Sequence, residues 1–256
     1  MKILGDGSYS IEDNISIDGE GSSPFIFGRG WLLELIELES GDYHFFSNGR
    51  EVRPEGKRFG IFYPPFTMIR CYVKDVRGFV RGIGTVDLLP GLPDIPVIFE
   101  TDFDEPFVDA SQAFGILKLA RRRQSIEFNS LASLLSLKAK RLIDENFLVY
   151  PSIARIAARL GVSHPHLSRQ FKRDYEMSPS AYLHQLRVAE ATSRLAIGEP
   201  IIEISMEVGY NDLSRFYKQF HKVTKTSPAV CRSMLEAGND SEFTSKNAKT
   251  GGAGSH

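Results

Sequence analysis

Two short segments in the C-terminal half place cations and hydroxyls opposite a pair of apolar residues. In His164-Pro165-His166-Leu167-Ser168-Arg169-Gln170-Phe171-Lys172, the apolar Leu167 and Phe171 lie four apart. In Leu213-Ser214-Arg215-Phe216-Tyr217-Lys218-Gln219-Phe220, Phe216 and Phe220 repeat that spacing. At about 100° per helical residue, the opposite face carries Pro165, Ser168, Arg169 and Lys172 in the first segment. In the second it carries Ser214, Tyr217, Lys218 and His221. These groups suit DNA. A guanidinium bonds guanine O6 and N7 together, whereas contacts to phosphate set register without reading sequence. Arg169 is the prime candidate for a base contact and Lys218 the next. Lys172, Arg173 and Lys222 suit phosphates, and His164 and Leu213 open the two segments and complete the set. A solvated helix face is the plainer alternative for each of these residues.

The elements that must hold these segments occur twice. Ile153, Ile156, Leu160 and Gly161 recur as Ile201, Ile204, Val208 and Gly209, and Leu167, Phe171, Ser178 and Pro179 recur as Phe216, Phe220, Ser227 and Pro228. Each copy predicts a short amphipathic helix, a turn at Gly161 or Gly209, and a second helix capped by Ser163 or Asp212. Between the copies, Ala181 to Ile197 reads as one helix with Tyr182, Leu186, Ala189 and Leu195 facing inward, ended by Gly198 and Pro200. Such a rod fixes the interval between the two recognition helices. Arg187 and Arg194 on it are expected in surface salt bridges or against phosphate.

This doubled pattern resembles the AraC/XylS family of bacterial transcription regulators, over about residues 135–235. Ile204 through Tyr210, Phe216, Phe220 and Ser227-Pro228 carry the resemblance most closely. It implies a DNA-binding domain of about seven helices whose monomer contacts two adjacent major grooves. It also implies a separate N-terminal domain for effector binding or dimerisation. The chain departs from the family pattern in three places. Glu176 and Lys225 stand where glycine usually ends each recognition helix, Cys231 replaces a common tyrosine, and Ser205 replaces a small alanine.

Charge divides the chain in the same way. Residues 1–110 hold 10 Lys/Arg against 19 Asp/Glu, a formal −9, and residues 111–235 hold 19 against 10, a formal +9. A basic half is what phosphate neutralisation needs, and the acidic half should sit away from the duplex. Cys71 and Cys231, one in each half, fit a reducing compartment. The apolar stretch after Met1-Lys2 is too short for a secretory leader, and no run is long enough to span a membrane. A cytoplasmic protein is expected.

The N-terminal half reads as short strands punctuated by Gly and Pro: Trp31–Leu38, closed by Ser40-Gly41-Asp42, then Tyr43–Phe46, Phe59–Tyr63, Met68–Val73, Val80–Leu88 and Ile95–Phe99. The resemblance favours a cupin-like jelly roll here. The expected fold class is α+β: a β-rich cupin-like domain (1–110), a helical linker (111–132), an all-α domain with two helix-turn-helix motifs (133–235), and a disordered tail (236–256). In the linker, Phe114, Leu117 and Arg121 have helical spacing, and Arg121-Arg122-Arg123 is either a solvated run or a phosphate contact. Asn129 or Ser130 is expected to cap a helix carrying Leu131, Leu134, Leu135 and Leu142, whose stripe packs on the barrel or on a second subunit.

Catalysis is not expected. His44 is the one histidine before residue 164, so a multi-histidine metal site is absent, and His164 and His166 lack nearby cysteines. No nucleophile motif or phosphate-binding glycine loop occurs, and neither metal nor cofactor is expected. Trp31, Phe45, Phe62, Tyr63, Phe66, Arg70 and Tyr72 are candidates to line an effector pocket, against the alternative of ordinary core packing. Arg70 and Arg81, within apolar strands, either face outward or meet an anionic effector. The expected function is a transcription regulator, a candidate activator, that reads DNA with two helices under control of the N-terminal domain. Its expected partners are double-stranded DNA, a small-molecule effector, RNA polymerase and a second copy of the chain. A ligand-independent regulator, whose N-terminal domain only dimerises or binds a protein, stays open as the alternative.

Overall fold

The computed structural model describes residues 2–4, 8–85, 91–149 and 152–237. The chain divides between Phe128 and Asn129 into two compact units. The first is an antiparallel sheet with one helix and the second is all helix, so the α+β organisation expected from sequence is the one observed.

The strands are β1 (Lys2–Ile3), β2 (Tyr9–Ser16), β3 (Glu20–Ile26), β4 (Trp31–Ser47), β5 (Arg50–Val52), β6 (Arg58–Tyr63), β7 (Met68–Thr85), β8 (Val97–Glu100) and β9 (Arg121–Ser125), with α1 (Gln112–Leu119) before β9. Among the described residues the strand order is β1-β2-β7-β4-β6-β8-β9, with β3 also on β7 and β5 also on β4. β7 is the centre: β2 pairs with its second half, β3 with its first, and β4 runs along most of its other edge.

Alternation along β4 and β6 sends side chains to two cores. Leu32, Ile36, Phe59 and Ile61 enter one, with Phe45, Ile69 and Cys71. Trp31, Leu33, Leu35 and Phe62 enter the other, which α1 covers with Ala113, Ile116 and Leu117. A period of two lets one strand supply both faces.

Several sequence expectations are corrected here. The expected turn at Ser40-Gly41-Asp42 is a bend within one 17-residue strand, with register shifts at Leu38/Ser40 and Ser40/Asp42. Gly41 has φ +97°, and a Cβ there would lie 2.5 Å from the Asp75 carbonyl oxygen, so the close approach of β7 dictates the glycine. Met68–Val73 and the start of Val80–Leu88 are parts of the single strand β7, and residues 86–88 lie outside the described residues. The segment 111–132 is not a helical linker. α1 and β9 belong to the first unit, and β9 is a strand paired with β8.

The second unit comprises α2 (Leu134–Asn146), α3 (Ile153–Arg159), α4 (His164–Tyr175), α5 (Pro179–Ala196), α6 (Ile201–Glu207), α7 (Leu213–Thr224) and α8 (Pro228–Ala237). Neither Asn129 nor Ser130 caps α2. Ser133 does, its hydroxyl accepting from the Ser136 amide at 3.3 Å, while Asn129 accepts from the Leu131 amide. The buried stripe of α2 is Ser136, Ala139 and Ile143, and Leu131 and Leu134 are 87% and 67% exposed. Small side chains face α4 and α5, where large leucines would hold the helices apart. The tail beyond residue 237, expected to be disordered, lies outside the described residues.

Gly41→Ala should cost about 2 kcal/mol or more, because a left-handed backbone and a backbone clash coincide there. Chemical denaturation of the full chain measures it, and a loss below about 0.5 kcal/mol would mean the bend relaxes freely.

Candidate nucleic-acid interface

α4 and α7 are built alike. Ser163 accepts from the His166 amide at 3.3 Å and Asp212 from the Ser214 amide at 2.9 Å, so both expected caps are in place. Leu167 and Phe171 are fully buried on α4, as are Phe216 and Phe220 on α7. Both helices end on a residue in the left-handed region, Glu176 at φ 61° and Lys225 at φ 60°. The backbone therefore keeps the conformation that glycine favours even where glycine is absent.

The faces opposite these cores are open. His164, Pro165, Arg169, Lys172 and Arg173 are exposed on α4, and Leu213, Ser214, Lys218, His221 and Lys222 on α7; Ser168 and Tyr217 are half-buried. Among the described residues, no salt bridge holds Arg169, Lys172, Arg173, Lys218 or Lys222. Two further exposed groups, His166 and Arg215, occupy matched positions on the flank of each face. Sequence reasoning passed over them because it weighed the centre of each face. The interval between the copies pairs them directly.

α5 seats both recognition helices. Tyr182 near its start packs on Phe171 of α4, ring centroids 5.8 Å apart. Its hydroxyl donates to Asp144 at 2.6 Å, and Lys140 reaches the same carboxylate at 2.8 Å. Burial raises the Asp144 pKa despite those partners. Further along α5, Val188, Ala191 and Leu195 share a core with Phe216 and Phe220 of α7.

The expected surface role of Arg187 is wrong. It is buried, donating from Nε to the Phe147 carbonyl at 2.7 Å and from Nη1 to the Gly209 carbonyl at 2.8 Å, with its guanidinium over the Tyr210 ring. Phe147 caps the end of α2 and Gly209 follows α6, so one cation meets the negative ends of two helices. Tyr210 also bonds His184 Nδ1 at 2.8 Å. Burial, then Arg187, Arg215 and Lys222, push His184 down to about 4, so it stays neutral at pH 7. Arg194 is in ion pairs, with Glu190 at 3.0 Å, with Glu199 at 3.2 Å and with Glu207.

The basic run on β9 is engaged too. Arg121 pairs with Asp102 at 2.6 Å and Arg122 with Glu55 and Glu100. Arg81 faces outward to Glu12 at 2.9 Å and the Asp104 carbonyl at 2.7 Å, and the Arg70 guanidinium lies over Phe128.

The seven expected effector-lining residues do not converge. Trp31 and Phe62 adjoin a cleft of about 270 Å³ with Pro64, Pro65, Leu92, Pro93 and Asp94. Phe45 and Tyr63 lie in the other core, and Phe66 is half-buried in the turn before β7. Tyr72 stacks on His44 and donates to Glu20 at 3.0 Å.

Residues 156–234 match a family described as a helix-turn-helix domain. The C-terminal unit is thus similar to helix-turn-helix domains of transcription regulators. The lactose operon transcription activator of Staphylococcus xylosus is 29% identical over 98 residues, 38% of this chain and 35% of the relative. The chain thus spans about a third of the length of that curated relative. The C-terminal domain of AraT, a response regulator from Geobacillus stearothermophilus, is 28% identical, with TM-score 0.39, over 41% of this chain and 88% of that one. ToxT from Vibrio cholerae, in a structure with an unsaturated fatty acid bound, has TM-score 0.52 at 11% identity over 93% of this chain and 99% of that one. At that identity the likeness is one of fold, and it takes in the cupin-like β unit as well as the helical one.

Gly209 and Gly161 end equivalent helices at φ +85° and +71°. A Cβ on Gly209 would lie 2.6 Å from both Arg187 Nη2 and the Leu148 carbonyl, whereas one on Gly161 meets nothing within 4 Å. Gly161→Ala should therefore cost about 1 kcal/mol for its backbone alone, and Gly209→Ala clearly more. Equal losses in thermal unfolding would show that the Arg187 brace yields without penalty.

Proposed function

We propose that the chain is a sequence-specific DNA-binding transcription regulator that inserts α4 and α7 into adjacent major grooves. One observation carries this reading. Two equivalent helices, seated on the same α5, present cations on their outer faces that have no ion-pair partner among the described residues, while the arginines elsewhere in both units are largely engaged. Arg169 is the base-reading group and Lys218 its counterpart. Lys172, Arg173 and Lys222 hold phosphates, while His164, Pro165, Ser168, Leu213, Ser214, Tyr217 and His221 line the two docking faces. α5 is about 27 Å long at 1.5 Å per residue, shorter than the roughly 34 Å between successive major grooves. Bending of the duplex would accommodate both helices. Such a regulator works in the cytoplasm, with RNA polymerase among its partners.

The N-terminal unit is the site of control, through a small-molecule effector or through dimerisation. ToxT, which shares the fold, has been seen with a small molecule bound.

Arg169→Ala should weaken binding to the specific site by about 1–3 kcal/mol and relax one base position. An equal loss on every sequence would make Arg169 a phosphate contact. Lys172→Ala should weaken all sequences alike and lower the slope of log K against log salt by about one. Mobility-shift titrations over a salt series read both.

A further inference from the structure

Asp174 is an acid that its own helix does not explain. It lies in the last turn of α4, where the helix dipole favours cations. It also follows directly on Lys172 and Arg173, two of the groups that hold phosphate in the function proposed above. The second copy of the motif shows what folding alone asks of this position. By the register that pairs Phe171 with Phe220, its counterpart on α7 is Val223, an apolar side chain packed against the core that seats α7.

What Asp174 meets is the first stretch of the helical unit. Its Oδ2 accepts from the Ser133 amide at 3.1 Å and from the Ser133 hydroxyl at 2.6 Å. Gln170, one turn earlier on α4, donates to both carboxylate oxygens at 3.2 and 3.1 Å. The Asp174 backbone carbonyl accepts from Asn129 Nδ2 at 2.9 Å. Ser133 is the N-cap of α2, whose first turn carries no acid, so Asp174 supplies the negative charge that this helix end favours. Burial pushes the Asp174 carboxyl up, but the bonds from Ser133, Ser136 and Gln170 outweigh it and hold the group below its ordinary range.

Asn129 is the first residue of the helical unit, and Phe128 before it is the last of the β unit. The chain is held on that side as well. Ile126 is buried in the sheet's core, and its amide donates to the Pro96 carbonyl at 2.9 Å. The Glu127 amide donates to Ser47 Oγ at 3.1 Å, and its carbonyl accepts from the Asn48 amide at 2.9 Å. Phe128 lies under the Arg70 guanidinium. One peptide bond thus separates a residue held in the β unit from one bonded to α4. Among the described residues no hydrogen bond joins α7 to residues 129–133.

We propose that Asp174 is a positioning residue for DNA reading: with Asn129 and Ser133 it ties α4, and not α7, to the junction of the two units. The inference rests on the DNA-reading function above and deepens it. A shift of the chain at Asn129 reaches α4 directly, through the bonds that Asn129 and Ser133 make to Asp174. It reaches α7 only through the core on α5. Control by the N-terminal unit then acts on the half of the DNA site that α4 reads.

Double-mutant cycles on the full chain test this, with affinities read by mobility shift on a duplex that the chain selects from a random pool. Asp174→Ala and Asn129→Ala should each weaken binding by about three- to tenfold. Combined with Arg169→Ala on α4, each loss should fall short of the product of the single losses by about threefold or more. Combined with Lys218→Ala on α7, the losses should simply multiply. Asp174→Asn keeps an acceptor oxygen for Ser133 and should recover part of the affinity. Asn129→Ala removes a single bond to α4 and carries the test if Asp174→Ala does not fold. Losses that multiply alike with both partners, alongside a lower unfolding temperature, would make Asp174 merely structural and overturn the inference. Unchanged affinity in both variants would overturn it too. If the unaltered chain selects no duplex, or Arg169→Ala costs nothing, the DNA-reading function fails instead and takes the inference with it.

Discussion

Arg187 places a charge inside the helical unit, and the seating of α7 depends on how that charge is satisfied. Burial disfavours its charged form, yet the two carbonyls it bonds close α2 and α6. Both carbonyls sit at helix ends, where partial negative charge accumulates. A buried cation with such partners is costly to disturb, because removing either side strands the other. Gly209, Tyr210 and His184 are arranged around that bond, and α7 follows directly. Arg194 adds a second tie between α5 and α6 through Glu190, Glu199 and Glu207. The two recognition helices therefore differ in support: α4 leans on an aromatic and Asp144 network, and α7 on a caged arginine.

Much of the helical unit was legible from residue types alone, because local chemistry sets it. Caps at Ser163 and Asp212, left-handed glycines at 161 and 209, and apolar pairs four apart each act within a turn of helix. Arg187 escaped that reading since nothing in its neighbours distinguishes a caged arginine from a solvated one. The inner face of α2 escaped for the opposite reason. Its leucines announce a core, but close packing selected Ser136, Ala139 and Ile143. In the sheet, Trp31, Phe59 and Ile61 marked their strands clearly. β2 and β9, Tyr-Ser-Ile-Glu-Asp-Asn-Ile-Ser and Arg-Arg-Arg-Gln-Ser, carry little apolar signal and are strands because β7 and β8 offer them edges. The expected effector residues were chosen by aromatic character, which does not say which face of a strand each one takes, and they fell into both cores.

The charge asymmetry has a structural meaning beyond totals. Cations in the β unit meet nearby carboxylates: Arg121 with Asp102, Arg122 with Glu100, and Arg81 with Glu12. On α4 and α7 the cations point outward with no such partner among the described residues. The β unit is the acidic one and these cations are already paired, so attraction to a polyanion is concentrated on the two helices.

β7 runs unbroken for 18 residues, with β2 along one half and β3 along the other. It acts as a common beam beneath two otherwise separate ribbons. A beam of this kind makes shear between its ends expensive, because slipping one ribbon by a residue would turn every side chain of that strand to the wrong face. Any distortion introduced along β7 must therefore be absorbed at the kink near Gly41 and Asp75, the one place along the pair where the ladder already gives.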